Sequence, residues 1–518
     1  MEDAIVGDRS QLRAAGQPAM TMKDEDPEAK LLADGKSAKE ADTAGNAYAL
    51  VCALLASVTS IVFGYNRGVM SGAQKYVQED LGVSDGQLEV LIGATSIYSL
   101  VGSLSAGWAC DRAGRRRTVA LAAALFLAGS AVTAAANGYA ALMAGQFLAG
   151  VGCGFGLVVA PVYIAEIAPA ASRGFLSSIP EIAINSGILL SYIANFTLAG
   201  LPRTINWRLM IGIGAVPPLF LAASALLVMP ETPRWLVLHG RPDEARRVLA
   251  RTSGGDSADR RLQEIVAAVD HEASSSSEKE QQDEPGGGTS TSVWRDIVLR
   301  PTPAVRRVML AIAGLQFFQQ ASGMAALVLY APRVFRHAGV TSERAVLGAT
   351  VLLGVAKTVP VVVPLFLADR LGRRPMLLAS AAGMAASLLV LGVSLRASPP
   401  AAATCVAAAA VFMATFSLGF GPVLWMYGSE ILPLRLRAQG TGIGTALNRV
   451  MSAVVGSTFI SMYKTVGMAG SFYVFAAVSA AAYVFVYACL PETKGKSLEE
   501  MEALFDGRAG RSPQASPS

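Results

Sequence analysis

The chain has 518 residues, of which 53% are apolar and 16% charged, with a formal net charge of +5. Its mean hydropathy is +0.44. Average soluble proteins carry about 25% charged residues, so these figures exclude a disordered chain and count against a soluble enzyme. The small net charge gives no general affinity for nucleic acid.

Residues 1–45 are polar and charge-rich, without the early apolar core of a cleavable signal peptide. They are expected to form a tail, leaving the first apolar run to act as its own insertion signal. A bilayer core of about 30 Å needs about 20 apolar residues of helix. Twelve runs meet that length, near 47–69, 88–109, 117–137, 139–163, 176–198 and 208–229, then 306–331, 346–368, 374–396, 403–428, 438–461 and 470–490. The expected fold is an all-α membrane protein with twelve transmembrane helices in two six-helix bundles, 46–229 and 306–490. An even number of spans puts both tails on one side.

Short loops rich in Lys and Arg stay cytoplasmic. Arg112, Arg115, Arg116 and Arg117 follow the second run, Arg173 the fourth, Arg370, Arg373 and Arg374 the eighth, and Arg435 and Arg437 the tenth. These loops share the side of the tails, so both tails are expected in the cytoplasm. Between the bundles, residues 230–305 start with amphipathic stretches such as Asp243 to Ala250. They continue into a Ser- and Gly-rich run from Ser274 to Ser292, expected to be a flexible cytoplasmic linker. Residues 491–518 are a polar tail in which Lys496 to Phe505 has the makings of one helical piece. The five cysteines, Cys52, Cys110, Cys153, Cys405 and Cys489, follow neither a disulfide nor a zinc pattern.

Three landmarks recur, displaced by roughly half the chain. Asp111-Arg-Ala-Gly-Arg-Arg116 reappears as Asp369-Arg-Leu-Gly-Arg-Arg374, Tyr163-Ile-Ala-Glu-Ile167 as Tyr427-Gly-Ser-Glu-Ile431, and Pro230-Glu-Thr232 as Pro491-Glu-Thr493. A duplicated six-span unit with a central site is a transporter architecture.

These loops, with Pro230-Glu-Thr-Pro-Arg-Trp-Leu236, Gln319-Gln-Ala-Ser-Gly323 and Pro491-Glu-Thr-Lys-Gly495, resemble the sugar porter family of the major facilitator superfamily from Tyr48 to Phe505. Arg173-Gly-Phe-Leu-Ser-Ser-Ile-Pro-Glu181 and Val328-Leu-Tyr-Ala-Pro-Arg-Val-Phe335 make the plant polyol/monosaccharide transporters the nearer resemblance. The resemblance implies carriage of monosaccharides or linear polyols across a membrane by alternating access, usually with protons. It implies no enzyme activity, cofactor or metal. A monomer in the plasma membrane is the family default.

Polar groups within a span are costly unless they face a cavity or a partner. Gln319 and Gln320 in the seventh run suit a polyhydroxylated ligand, since each amide both donates and accepts. They equally suit interhelical bonding. Trp425, after Gly421-Pro422, offers an indole face for the C–H side of a sugar, or is a core aromatic. Asn448 carries the same two readings. Glu181 and Lys357 stand where broader relatives carry amides. As an ion pair they would bind hydroxyls strongly, and Glu181 is a candidate proton site; Lys357 alternatively snorkels. The duplicated Asp111, Arg115, Glu166 and Arg173, with Asp369, Arg373, Glu430 and Arg437, are expected to tie the two halves together when a cytoplasmic gate is shut, or simply to set topology.

The sequence departs from the family at three places. Asn66 and Gln146 are neutral where proton-coupled relatives carry an Asp and an Arg, and an amide does not titrate near neutral pH. Arg67 is new beside Asn66. Ala325 and Ile188 replace polar residues of sugar-binding relatives. Symport follows the family, and uniport follows Asn66 with Gln146. A non-transporting sugar sensor remains a third reading, set back by the short tail after Pro491. No phosphate-cradling loop exists for an ATP-driven pump. His239, His271 and His337 form no cluster and are expected outside the spans.

Overall fold

Twelve helices are long and apolar enough to cross a bilayer: Asn46–Leu81, Asp85–Ala113, Arg115–Ala134, Tyr139–Ile167, Gly174–Leu198 and Arg203–Leu227, then Pro303–His337, Glu343–Leu371, Arg373–Arg396, Ala402–Ile431, Gln439–Val466 and Met468–Cys489. They are spans 1 to 12 below. The structure, a computed structural model, describes residues 27–169, 172–253, 258–270, 302–432 and 436–494, without the side chains at 27–45, 173, 253, 437 and 438. Ser274 to Ser292 and Lys496 to Phe505 lie outside the described residues. Each span coincides with one of the expected apolar runs, and most extend beyond it by up to a few turns.

The extensions have local causes. Span 2 starts at a capping box in which Ser84 accepts from the Gln87 N–H and Gln87 reaches back to the Ser84 N–H. Gly114 and Gly372, at φ 90° and 95°, turn the chain sharply after spans 2 and 8. The first helix begins at Pro27, within the segment expected as a tail. His337, expected outside the spans, is the last residue of span 7. The region after span 6 forms short helices at Pro233–Leu238, Pro242–Ser253 and 258–270.

The two halves repeat the same packing. Span 1 lies on span 5, 2 on 4, 3 on 4 and 3 on 6; correspondingly, 7 lies on 11, 8 on 10, 9 on 10 and 9 on 12. Glycines let backbones touch. A Cβ on Gly64 would sit 2.0 Å from the Ile184 carbonyl oxygen, and one on Gly187 would sit 2.1 Å from that of Ile61. Small residues at helix crossings are how membrane bundles gain van der Waals contact without a hydrophobic drive between helices. Across the halves, span 2 packs on 11, 5 on 8, and the second segment of span 7 on span 1. Large apolar side chains, Leu104, Trp108, Leu227 and Phe366 among them, point outward and form the lipid-facing belt of a multi-pass membrane protein.

Spans 6, 7, 8 and 10 are each interrupted, and the breaks in 7 and 10 bear on the site. Span 7 is helical over Pro303–Ala321 and Met324–His337, with Gly323 left-handed at φ 87°. Span 10 is helical over Ala402–Leu418 and Pro422–Ile431, interrupted by Gly419, Phe420 and Gly421. Pro422, which has no N–H to donate, opens the second segment, a position where that donor has no helical partner to lose. Breaks of this kind are tolerated in a bilayer where other groups satisfy the freed backbone.

Candidate functional site

The breaks in spans 7 and 10 meet. Gln319 Nε2 donates to the Phe420 carbonyl, 2.6 Å away, in the interruption of span 10. Asn448 of span 11 collects the rest. Its Nδ2 donates to Gln319 Oε1 at 2.5 Å and Gln316 Oε1 at 2.9 Å. Its Oδ1 accepts from Gln320 Nε2 at 3.3 Å and Arg449 Nη2 at 2.8 Å. Gln316, Gln319, Gln320, Asn448 and Arg449 are all buried. Gln320 Oε1 and Arg449 Nε have no partner among the described residues. Three of the four residues expected to meet are thus in one network. Trp425 is half-buried against the main apolar core, and no hydrogen bond joins it to them among the described residues.

Glu181 and Lys357 face each other through a third residue. The Lys357 ammonium donates to Asn185 Oδ1, and Asn185 Nδ2 donates to Glu181 Oε1 at 3.3 Å and to the Glu181 carbonyl at 2.8 Å. Asn185 lies one helical turn beyond Glu181, so both present to the same side of span 5. Lys357 is buried, with its ammonium 5.8 Å from the centre of the Phe416 ring. The expected pairing therefore runs through an amide bridge that ties span 5 of one half to span 8 of the other. Thr358 strengthens the link by donating to the Asn185 carbonyl at 3.1 Å.

A small cavity lies between spans 1, 2, 4, 7 and 11, lined by Asn66, Arg67, Thr95, Ser96, Cys153 and Arg449 among others. Gln146 is buried one bond behind it and accepts from the Thr95 hydroxyl at 3.2 Å. Asn66 and Gln146 thus occupy one neighbourhood as two neutral groups. Arg67 reaches across the halves and donates to Ser452 Oγ at 3.0 Å. Of the two other departures, Ile188 and Ala325 are both buried in the apolar core.

The arginine-rich loops form two matching networks. Arg115 pairs with Glu166 at 2.9 Å and Asp111 at 3.6 Å; Arg373 pairs with Glu430 and Asp369, both at 2.8 Å. Glu231 accepts from the Arg115 N–H at 2.8 Å, and Glu492 from the Arg373 N–H at 2.9 Å. Burial pushes the Glu231 carboxyl above its ordinary range, against the pull of the backbone N–H groups of Thr232, Arg116 and Arg115. All these pairs join helices within one half, where ties between halves were expected. Arg173 and Arg437 open their helices, but their side chains lie outside the described residues.

Carboxylates that tie the halves together are found on the opposite face. Glu89 accepts from the Ser461 N–H at 2.8 Å and its hydroxyl at 2.6 Å. Asp85 pairs with Arg333 at 3.0 Å and Lys464 at 2.6 Å, and Lys75 pairs with Glu343 at 3.0 Å. Glu89, Asp85 and Lys75 therefore bolt one face across the halves, while the pairs of Arg115 and Arg373 on the other face stay within each half.

Sequence reasoning missed Gln316, Asn185 and Arg449. Each had a signal: Gln316 and Asn185 stand one turn from residues already singled out, and Arg449 is a charge within a span.

A family profile described as "Sugar (and other) transporter" matches residues 52–505. Polyol transporter 5 of Arabidopsis thaliana is 47% identical over 480 residues, covering 91% of this chain and 89% of its own length. The xylose transporter XylE from E. coli in an inward-open conformation superposes with a TM-score of 0.74 at 27% identity, covering 88% of this chain and 99% of XylE. A proton:xylose symporter XylE structure bound to 6-bromo-6-deoxy-D-glucose gives a TM-score of 0.70 at 28% identity, covering 89% and 99%. With the family profile matching residues 52–505 and the fold shared over 88% of the chain, the chain belongs to the sugar transporter family of the major facilitator superfamily and is a transporter, not an enzyme.

Proposed function

We propose that the chain is a secondary carrier of monosaccharides or linear polyols, working by alternating access. The observation that supports this most is the meeting of two helix breaks over a buried set of amides. Groups that donate and accept from unwound backbone suit a ligand whose hydroxyls do both. With the arginine-rich face taken as cytoplasmic, the bolts at Glu89, Asp85 and Lys75 close the outer side, and the cavity belongs to an inward-facing state. Both tails then lie in the cytoplasm and the plasma membrane is the site of action, with a monomer as the working unit.

Coupling to protons runs through Glu181 in this reading. Asn66 and Gln146 do not titrate, whereas a proton on Glu181 removes the charge that Asn185 donates to and so loosens the span 5 to span 8 bridge. Gln319, Gln320, Asn448 and Trp425 contact the ligand, and Lys357 holds the bridge. The neutral Asn66 and Gln146 favour a second reading, facilitated uniport. Expression in cells lacking hexose and polyol uptake, with labelled sorbitol, mannitol, xylose and glucose, separates the two. Symport predicts uptake that a protonophore reduces at least fivefold, and loss of that sensitivity in Glu181→Gln. Uptake indifferent to the protonophore in the unsubstituted chain would establish uniport.

A further inference from the structure

The cavity holds more positive charge than a neutral ligand requires. Arg67 and Arg449 both line it, with guanidinium carbons 5.9 Å and 5.6 Å from the centre of the same Phe63 ring. Arg449 is 7% exposed, and its Nε is without a partner. Arg67 donates only to the Ser452 hydroxyl and Arg449 only to the Asn448 amide oxygen, so neither has a carboxylate partner among the described residues. The carboxylate that acts on Arg449 and Lys357 from a distance is Glu181, which is held by Asn185. Asn66, Thr95, Ser96 and Ser99 add neutral polar groups to the lining and no negative charge. Two guanidiniums withdrawn from bulk water into one hollow repel each other, and each carries a desolvation cost that a counter-charge would offset. Planar forked donors match a carboxylate in particular.

We propose that this cavity binds the acid group of a polyhydroxylated carboxylate, an aldonate or uronate, between Arg67 and Arg449. The inference rests on the carrier reading above and narrows its substrate class. Gln319, Gln320 and Asn448 do not line this cavity themselves, and Arg449, bonded to Asn448, is the residue that joins it to the amide set.

The test uses the purified full chain in proteoliposomes. Labelled gluconate, glucuronate, sorbitol and glucose are offered separately, with acetate and inorganic phosphate as competitors. Gluconate or glucuronate is expected to have a kcat/KM at least about tenfold above that of sorbitol, from the charge-assisted bonds. Arg67→Ile is expected to erase that advantage, and Arg67→Lys to restore part of it. Gluconate is also expected to raise the melting temperature of the unsubstituted chain where equal acetate or phosphate does not, a readout independent of any variant's folding. Sorbitol or glucose carried with no preference for the acids overturns this inference and leaves the carrier reading standing. Stabilisation by acetate or phosphate equal to that by gluconate also overturns it, because the site is then one for a free inorganic or simple organic anion. If none of the four compounds is carried, the carrier reading itself fails.

Discussion

Asn448 shows how much rests on a single side chain. Its amide is shared by three glutamines of span 7, Gln316, Gln319 and Gln320, and by Arg449, so every hydrogen-bonding position it has is engaged. Replacing it leaves several buried groups unpaired at once, each at a cost of about 1–3 kcal/mol. Asn448→Ala is expected to lower stability by about 2–4 kcal/mol by that count, and to raise KM for the carried compound at least tenfold. Thermal unfolding and uptake kinetics measured together check it; an unchanged KM in a stable variant would take Asn448 out of the ligand site. The amides were legible in the sequence because polar residues are rare in spans. Their partners were not, since Gln319 and Asn448 lie far apart in the chain and meet only through the rotation of two packed helices. Asn185 was hidden for a related reason: a Glu and a Lys in two spans suggested a direct pair, and the length of Lys357 against the span 5 to span 8 distance left room for an amide between them.

At the scale of the element, glycines and prolines set both the crossings and the breaks. Gly64 and Gly187 let spans 1 and 5 approach until each Cα faces a carbonyl of the other helix. A side chain there has no space to move into, because the obstacle is backbone. Gly64→Val is expected to destabilise the fold by about 1–3 kcal/mol, the usual cost of overpacking, and to lower expression; a melting temperature equal to that of the unsubstituted chain would show that the crossing is looser than drawn. The spans themselves were legible from apolar length alone. The bend in span 10 was legible from Gly421-Pro422, but that Phe420 would hand its carbonyl to Gln319 was not, because it depends on where the break in span 7 falls. The helix over residues 27–45 was hidden by its polarity, which marks a segment as outside the bilayer and says nothing of its helical propensity.

For the whole molecule, closure is a matter of which face carries the bonds between halves. The duplicated arginine motifs announced a gate, and the structure keeps their pairs within each bundle while Glu89, Asp85 and Lys75 join the bundles on the other face. That assignment was not legible, because identical motifs permit pairing within or between halves and the choice belongs to the conformational state. Glu89→Gln weakens a charge-assisted bond to Ser461, by about 1–1.5 kcal/mol. It is expected to raise opening of that face roughly five- to tenfold. In a variant retaining only Cys153, which lines the cavity, a membrane-impermeant maleimide added on that face reads the opening directly. No increase in Cys153 labelling would mean that Glu89 is not part of the closure.

The claim beneath all of this is that the buried amides at the meeting of spans 7, 10 and 11 bind a polyhydroxylated ligand that the two halves pass from one side to the other. Exchange of labelled against unlabelled sorbitol, glucose or gluconate across proteoliposomes holding the pure chain tests it most directly. The account predicts saturable exchange for at least one of them, reduced at least tenfold in Gln319→Ala at equal protein content and folding. Exchange no greater than in protein-free liposomes for all three, or kinetics in Gln319→Ala identical to those of the unsubstituted chain, would contradict it.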